Sequence, residues 1–242
     1  MLNLTPFLAG NGQLEADRLI VPPTSRQHYS DAQWDDYGHR PTRSFPHRPP
    51  FRVSVQARFS SSNLAGTAGF GLWNHPFAPT GGLPALPRAL WFFYASPPSD
   101  MQLALDVPGH GWKAAAIDAT GPSALALAPL ALPVVLLNRS RTFYRAFWPI
   151  VQRGLRIEEK SLPLDLLPEW HTYSIEWTTD RAVLSVDERV VLATSRPPRG
   201  RMGFVAWIDN QYAIVTPTGR LGFGLLDVSA PQWLEIKLPK SG

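Results

Sequence analysis

Cysteine is absent from this chain of 242 residues, which excludes disulfides and thiolate metal sites and fits a reducing compartment; a cytoplasmic setting is the expectation. Long apolar runs are missing as well. The stretches Ala124–Ala128 and Pro133–Leu137 fall far short of the roughly 20 residues that cross a bilayer, so no transmembrane helix is expected. The first 19 residues lack a basic region followed by an apolar one, so a secretory leader is either absent or already removed. Charge of one sign is sparse: the net charge is 23 − 19 = +4, with the basic residues scattered, whereas a nucleic-acid binder concentrates them in a stripe. The chain has no Gly-x-Ser-x-Gly elbow, no phosphate loop and no His-x-x-x-His pair. No cofactor or metal is expected.

What is present is material for one large core. At 44% hydrophobic content a chain of this length buries roughly 70 to 75% of its unfolded surface, and a single domain spanning 1–242 is the default. Prolines pair up at 22–23, 49–50, 97–98 and 197–198, and they confine strands to the stretches between them. The clearest pattern runs from Trp170 to Leu192. Tyr173, Ile175 and Trp177 alternate with polar residues, Thr178–Arg181 breaks the run, and alternation resumes at Val183–Val186 before Asp187-Glu188 turns the chain again. That is a meander of three short strands. Phe51–Phe59 alternates as cleanly, with Phe51, Val53, Val55 and Phe59 toward a core. Gly66–Asn74 is a Gly-rich strand that lets another backbone or a ligand come close, and Ala89–Ala95 is apolar on both faces, hence covered on both. Further strands are expected at Leu2–Leu8 and Leu14–Val21, joined at Gly10-Asn11-Gly12, and at Met101–Val107, Trp112–Ile117, Arg201–Tyr212 and Gln232–Leu238. The total is eleven to thirteen. Between them the period changes: Phe143, Phe147, Ile150, Val151 and Leu155 follow helical spacing, so about 122–162 reads as a helical insertion.

Trp170-His171-Thr172-Tyr173, Ile175-Glu176-Trp177 and Val186-Asp187 resemble the meander of concanavalin A-like lectins and glucanases, including family-16 glycoside hydrolases, with Glu188-Arg189 where that pattern usually has Gly. The resemblance covers about Phe51–Ala95 and Trp170–Leu238. It implies an all-β, two-sheet antiparallel sandwich, a jelly roll, here with a helical insertion. It also implies that His171 and Glu176 belong to the scaffold. The glucanases of this group carry Glu-x-Asp-x-Glu or Glu-x-Asp-x-x-Glu on one strand; this chain has neither, and the matching strand carries Trp91, Phe92, Phe93 and Tyr94.

Rings therefore stand where acids would. Trp73, Trp91, Phe93, Trp207 and Tyr212 are expected on the concave sheet, with Asn74, His75, Asp209 and Asn210 at strand ends. Asp35 and Tyr37, sharing one polar face of 28–40, border the same groove or else lie on a solvated edge strand, while Asp31, Asp35 and Asp36 offer oxygens for a hard cation. Rings flanked by amides and carboxylates suit a glycan or glycoside, bound without classical hydrolysis. They also suit the alternative, an enzyme acting on an apolar small molecule such as a terpenoid or lipid (a cyclase, isomerase or hydrolase). In that alternative Asp209, its pKa raised by the neighbouring Trp207, works with His75 or Asp106 as proton handlers. The insertion is most economically a lid packing its aromatic face over the groove. With Arg139, Arg141, Arg145, Arg153 and Arg156 it is also a basic amphipathic segment of the kind that lies on anionic membranes.

Overall fold

The computed structural model describes residues 2–38, 45–75 and 86–238; His39 and Arg40, the end of the polar stretch noted above, lie outside them. Two antiparallel sheets of seven strands face each other. The front sheet runs, edge to edge, β1 (Thr5–Ala9), β4 (Asp31–Asp35), β13 (Gly203–Asp209), β6 (Thr67–Trp73), β7 (Arg88–Ala95), β8 (Gly111–Asp118) and β9 (Glu158–Ser161). The back sheet runs β12 (Arg189–Thr194), β11 (Ala182–Val186), β10 (His171–Trp177), β5 (Phe51–Phe59), β16 (Gln232–Lys237), β3 (Arg18–Val21) and β2 (Gln13–Glu15). A small hairpin, β14 (Gln211–Val215) and β15 (Leu221–Leu225), projects from the end of β13. The expected two-sheet sandwich with a helical insertion is thus the architecture, with 16 strands among the described residues.

Alternation decides which side chains enter the core. From the back sheet, Val53, Val55, Phe59, Tyr173 and Ile175 point inward; from the front sheet, Phe70, Leu72, Leu90, Phe92, Trp112 and Phe204 meet them. The centre is aromatic. Tyr173 lies 5.0 Å from Phe70 and 4.9 Å from Phe92, and Phe59 lies 5.4 Å from Trp112 edge to face. Pairs in this geometry contribute about 0.5–1.5 kcal/mol each beyond the area they bury.

Four expectations are corrected. Gly10-Asn11-Gly12 does not close a hairpin: β1 pairs with β4 in the front sheet while β2 and β3 pair in the back sheet, so the glycines carry the chain from one sheet to the other. Gly10 has φ +60°, and a Cβ on Gly10 or Gly12 would stand 1.9 Å from the Tyr29 carbonyl oxygen or 2.0 Å from that of Asp31. Met101–Val107 forms no strand. Glu159 accepts from the Ala104 amide and Gln152 from that of Leu105, so side chains satisfy backbone groups that a ladder would have used. The helices, α1 (Pro122–Leu127), α2 (Ala131–Leu137) and α3 (Arg141–Gly154), end at 154, and Glu158–Ser161 returns as the edge strand β9. β4 is no edge strand, since it lies between β1 and β13.

The β11–β12 turn shows what replaces the usual glycine. Val186 pairs with Arg189, leaving Asp187 and Glu188 as a two-residue loop at φ +47° and +65°, the mirror-image turn that hairpin twist favours. Asp187 is held there: its carboxylate accepts the Thr172 amide at 2.8 Å and contacts His171 Nδ1. Glu188 bears the left-handed conformation without such help. Glu188→Gly is expected to raise stability by up to about 1 kcal/mol, read as a higher urea midpoint at unchanged m-value; an unchanged or lower midpoint refutes the account of this turn.

Candidate functional site

The face of the front sheet turned away from the core carries most of the chemistry foreseen above. Gly69 and Gly71 of β6 leave this face bare. A Cβ on Gly69 would stand 2.3 Å from the Phe92 carbonyl oxygen and 3.1 Å from the Trp207 ring. The close neighbours that the Gly-rich strand admits are therefore the β7 backbone and an indole. Across the bare strip Trp73 and Trp207 stack in parallel at 5.9 Å, and Trp207 approaches Trp91 at 5.8 Å and Phe93 at 5.9 Å. His75, in the left-handed region at φ +43°, stacks on Trp73 at 4.8 Å. Tyr37 joins the cluster edge-on to His75, and its hydroxyl accepts from Trp73 Nε1 at 2.8 Å. Burial raises the Tyr37 pKa, helped by the Asp35 charge, so the phenol stays neutral. Phe93 and Trp207 are buried, whereas Trp73 and Trp91 are half-buried. Trp73 stacks with His75 and Trp207, and Trp91 stacks on Phe93 at 5.3 Å.

One flank of the cluster is closed. Lys113, buried on β8 beside Phe93, pairs with Glu159 at 3.1 Å and donates to the Met101 carbonyl at 3.2 Å. This buried ion pair pins the 101–108 loop to the face, and Met101 packs on the rings. Sequence reasoning passed over both residues; a lone Lys in the apolar run Trp112–Ile117 was the available signal.

At the other end of the face lies a carboxyl pair. Asp209 and Asp31 are register partners on β13 and β4, which sets their Cβ atoms about 5 Å apart. Asp209 Oδ1 accepts from the Thr67 amide at 3.1 Å, the Thr67 hydroxyl at 2.9 Å and the Gln211 amide at 2.9 Å. Trp207 Nε1 donates in turn to Thr67 Oγ1 at 3.0 Å. Burial still lifts the Asp209 pKa to about 7, against those three donors. Asp31 is pushed well up by burial and then by the Asp209 charge, with the Tyr29 hydroxyl opposing. Its Oδ1 has no hydrogen-bond partner. Two carboxyls this close in a dry site resist ionising together. Tyr29, half-buried, hydrogen-bonds Asp31.

The remaining candidates divide plainly. Asn74 closes the base of the β6–β7 connection, donating to the Leu86 carbonyl and accepting from the Arg88 amide, both at 2.9 Å. Asn210 accepts from the Ser30 amide and donates to the His28 and Leu226 carbonyls, so both amides are used as backbone clamps. Asp35 is buried, with Oδ2 on Gln33 Nε2 and Oδ1 on the Tyr37 and Gly38 amides. Asp36 pairs with His47 and accepts the Phe204 amide. Asp31, Asp35 and Asp36 therefore do not converge, and no group of three or more His, Asp or Glu suited to a metal ion occurs among the described residues. Tyr212 packs on Gly224 within the small hairpin, apart from the ring cluster. Asp106 is exposed on the 101–108 loop near Tyr144. His75 follows the Trp73 end of β6, which pairs with Gly203, whereas Asp209 lies six residues further along β13, about 20 Å away at strand rise. Asp209 accordingly stands beside Asp31 and away from His75.

The pair has a consequence for stability. Asp209 ionises near 3.8 in the unfolded chain and near 7 when folded. The folded state thus binds more protons between these values, and stability, full at low pH, falls as pH rises from about 4 to about 7. At about 1.4 kcal/mol per unit the loss amounts to a few kcal/mol. Urea midpoints measured from pH 4 to 8 are expected to show this fall in the wild type and a flatter profile in Asp209→Asn; parallel profiles refute the assignment.

Likeness to known proteins is confined to the fold. No protein-family model matches the chain, and no curated protein matches it. Among solved structures, a laminarinase from Flavobacterium sp. UMI-01 is similar at 10% identity and TM-score 0.47, over 97% of this chain and 91% of that one. The β-glucanase of Bacillus licheniformis aligns at 9% identity and TM-score 0.45, over 93% of this chain and 80% of that one. A glycoside hydrolase family protein from Mycobacterium thermorestibile aligns at 12% identity and TM-score 0.44, over 90% and 74%.

Proposed function

We propose that the protein binds a glycan or glycoside on the outer face of the front sheet, around Trp91, without glucanase-type hydrolysis. One observation carries the reading. The two central strands present Thr67, Gly69, Gly71 and Trp73, and Ala89, Trp91, Phe93 and Ala95, to this face. A retaining mechanism needs two carboxyls about 5 Å apart flanking the scissile bond, and these strands supply rings and glycine instead. A half-buried indole backed by buried rings offers an apolar platform to the axial C–H face of a sugar, at low entropic cost because the ring is already fixed.

An enzyme acting on an apolar small molecule such as a terpenoid or lipid is the competing reading, and the Asp31–Asp209 pair favours it. Two carboxyls side by side in a dry site, both pushed up by burial, are candidates for acid and base work. Their position, at the strand end under Tyr29, separates this chemistry from the Trp91 platform.

The two readings part on two variants. Binding of a glycan panel by calorimetry is expected to weaken at least tenfold in Trp91→Ala and to be unchanged in Asp209→Asn; absence of any sugar binding at millimolar concentration ends the first reading. Thermal-shift screening against terpenoids and fatty acyl compounds tests the second. A stabilising compound whose effect disappears in Asp209→Asn but survives in Trp91→Ala establishes it in place of the first.

A further inference from the structure

The helical insertion does not pack its aromatic face over the rings. Trp148 is the buried side chain of α3, donating through Nε1 to the Leu103 carbonyl at 2.7 Å, and Gln152 accepts from the Leu105 amide. With that side committed to the 101–108 loop, the neighbouring stripe is turned outward. Phe143, Phe147 and Ile150 are 42%, 47% and 57% exposed, and the two phenylalanines stack on each other at 5.6 Å rather than on the sheet. The patch continues onto α2, where Leu132 and Leu136 are exposed. α2 in turn is fastened to the small hairpin: Asn138 Nδ2 donates to the Pro217 carbonyl, and a Cβ on Gly219 would stand 2.5 Å from Val135. On that hairpin Leu221 and Phe223 are exposed at 73% and 65%.

Along the insertion itself the charge has one sign, though Asp106 of the 101–108 loop lies near Tyr144. Between Asp118 and Glu158 the chain has five arginines and no Asp, Glu or Lys. Arg156 is neutralised against Asp118. Among the described residues Arg139, Arg141, Arg145 and Arg153 form no ion pair, and all four are exposed.

We propose that α2, α3 and the β14–β15 hairpin form a docking surface for an anionic lipid bilayer. A basic amphipathic helix with phenylalanine on its apolar stripe lies in the headgroup plane with that stripe immersed. α3, at 14 residues, is about 21 Å long and lies on the surface rather than across it. No helix among the described residues is long and apolar enough to span. The unpaired arginines select the partner: they attract anionic headgroups, whereas a second copy seated on the same patch would bring like charges together. This is independent of any ligand at Trp91.

Co-sedimentation with vesicles of phosphatidylcholine containing one third phosphatidylserine, and with vesicles of phosphatidylcholine alone, tests the assignment. The wild type is expected to sediment with the first and not the second, and to be released by salt. Phe143→Glu with Phe147→Glu, and Arg141→Ala with Arg145→Ala, change exposed residues and leave the circular dichroism spectrum intact; each pair is expected to weaken binding roughly tenfold or more. Failure of the wild type to sediment, equal binding to both compositions, or full binding by the phenylalanine pair overturns the proposal. So does light scattering that reports a dimer dispersed by the phenylalanine pair, which assigns the patch to a second copy of the chain.

Discussion

Everything in this molecule hangs on the contact between Tyr173 of the back sheet and the rings of the front sheet. Phe70, Phe92 and Trp112 all stand within 6 Å of Tyr173, and this cluster fixes how far apart the sheets lie and which residues of each strand point inward. Because the strand period is two, fixing the inward set fixes the outward set. The platform of Trp73, Trp91 and Phe93 is thus the other half of the pattern that places Leu72, Leu90 and Phe92 in the core.

The outer face then obeys a second constraint, that buried polar groups must be satisfied. Lys113 and Glu159 neutralise each other there, Asp35 accepts from three donors, and the two amides that looked like ligand-binding groups, Asn74 and Asn210, spend their capacity on backbone. Asp31 is the member of this face left with an unpartnered oxygen. A group held at a cost in stability is the reasonable place to look for chemistry. This is why the carboxyl pair stands beside the indole platform as a second centre of interest, and why the two are separable by experiment.

Much of this was legible in the chain. Strands with one wet face declare themselves: Phe51–Phe59 and Tyr173–Trp177 alternate, and they fold as read. Ala89–Ala95 betrayed its double burial by having no polar face. What the sequence could not carry was register between distant strands. Nothing local says that Asp31 faces Asp209 across β4 and β13, so the proton partner of Asp209 was sought in His75 and Asp106. Periodicity likewise revealed that α3 has an apolar stripe but not which neighbour it meets; Trp148, on the adjacent side, turned out to be the anchor. Gly10-Asn11-Gly12 misled because glycine admits a left-handed turn and a tight crossing equally well. Met101–Val107 misled because Met101 packs on the rings while Glu159 and Gln152 take the amides a ladder would have used.

The crossing at those glycines places β3 in the back sheet, where it pairs with β16, Arg18–Val21 against Gln232–Glu235. The first turn of the jelly roll therefore waits for its mate until more than two hundred residues have been synthesised. Until then one side of β5 is an open ladder edge, of the kind that recruits stray strands. Assembly of the sandwich is accordingly a late event in the life of the nascent chain, slow by the measure of contact order.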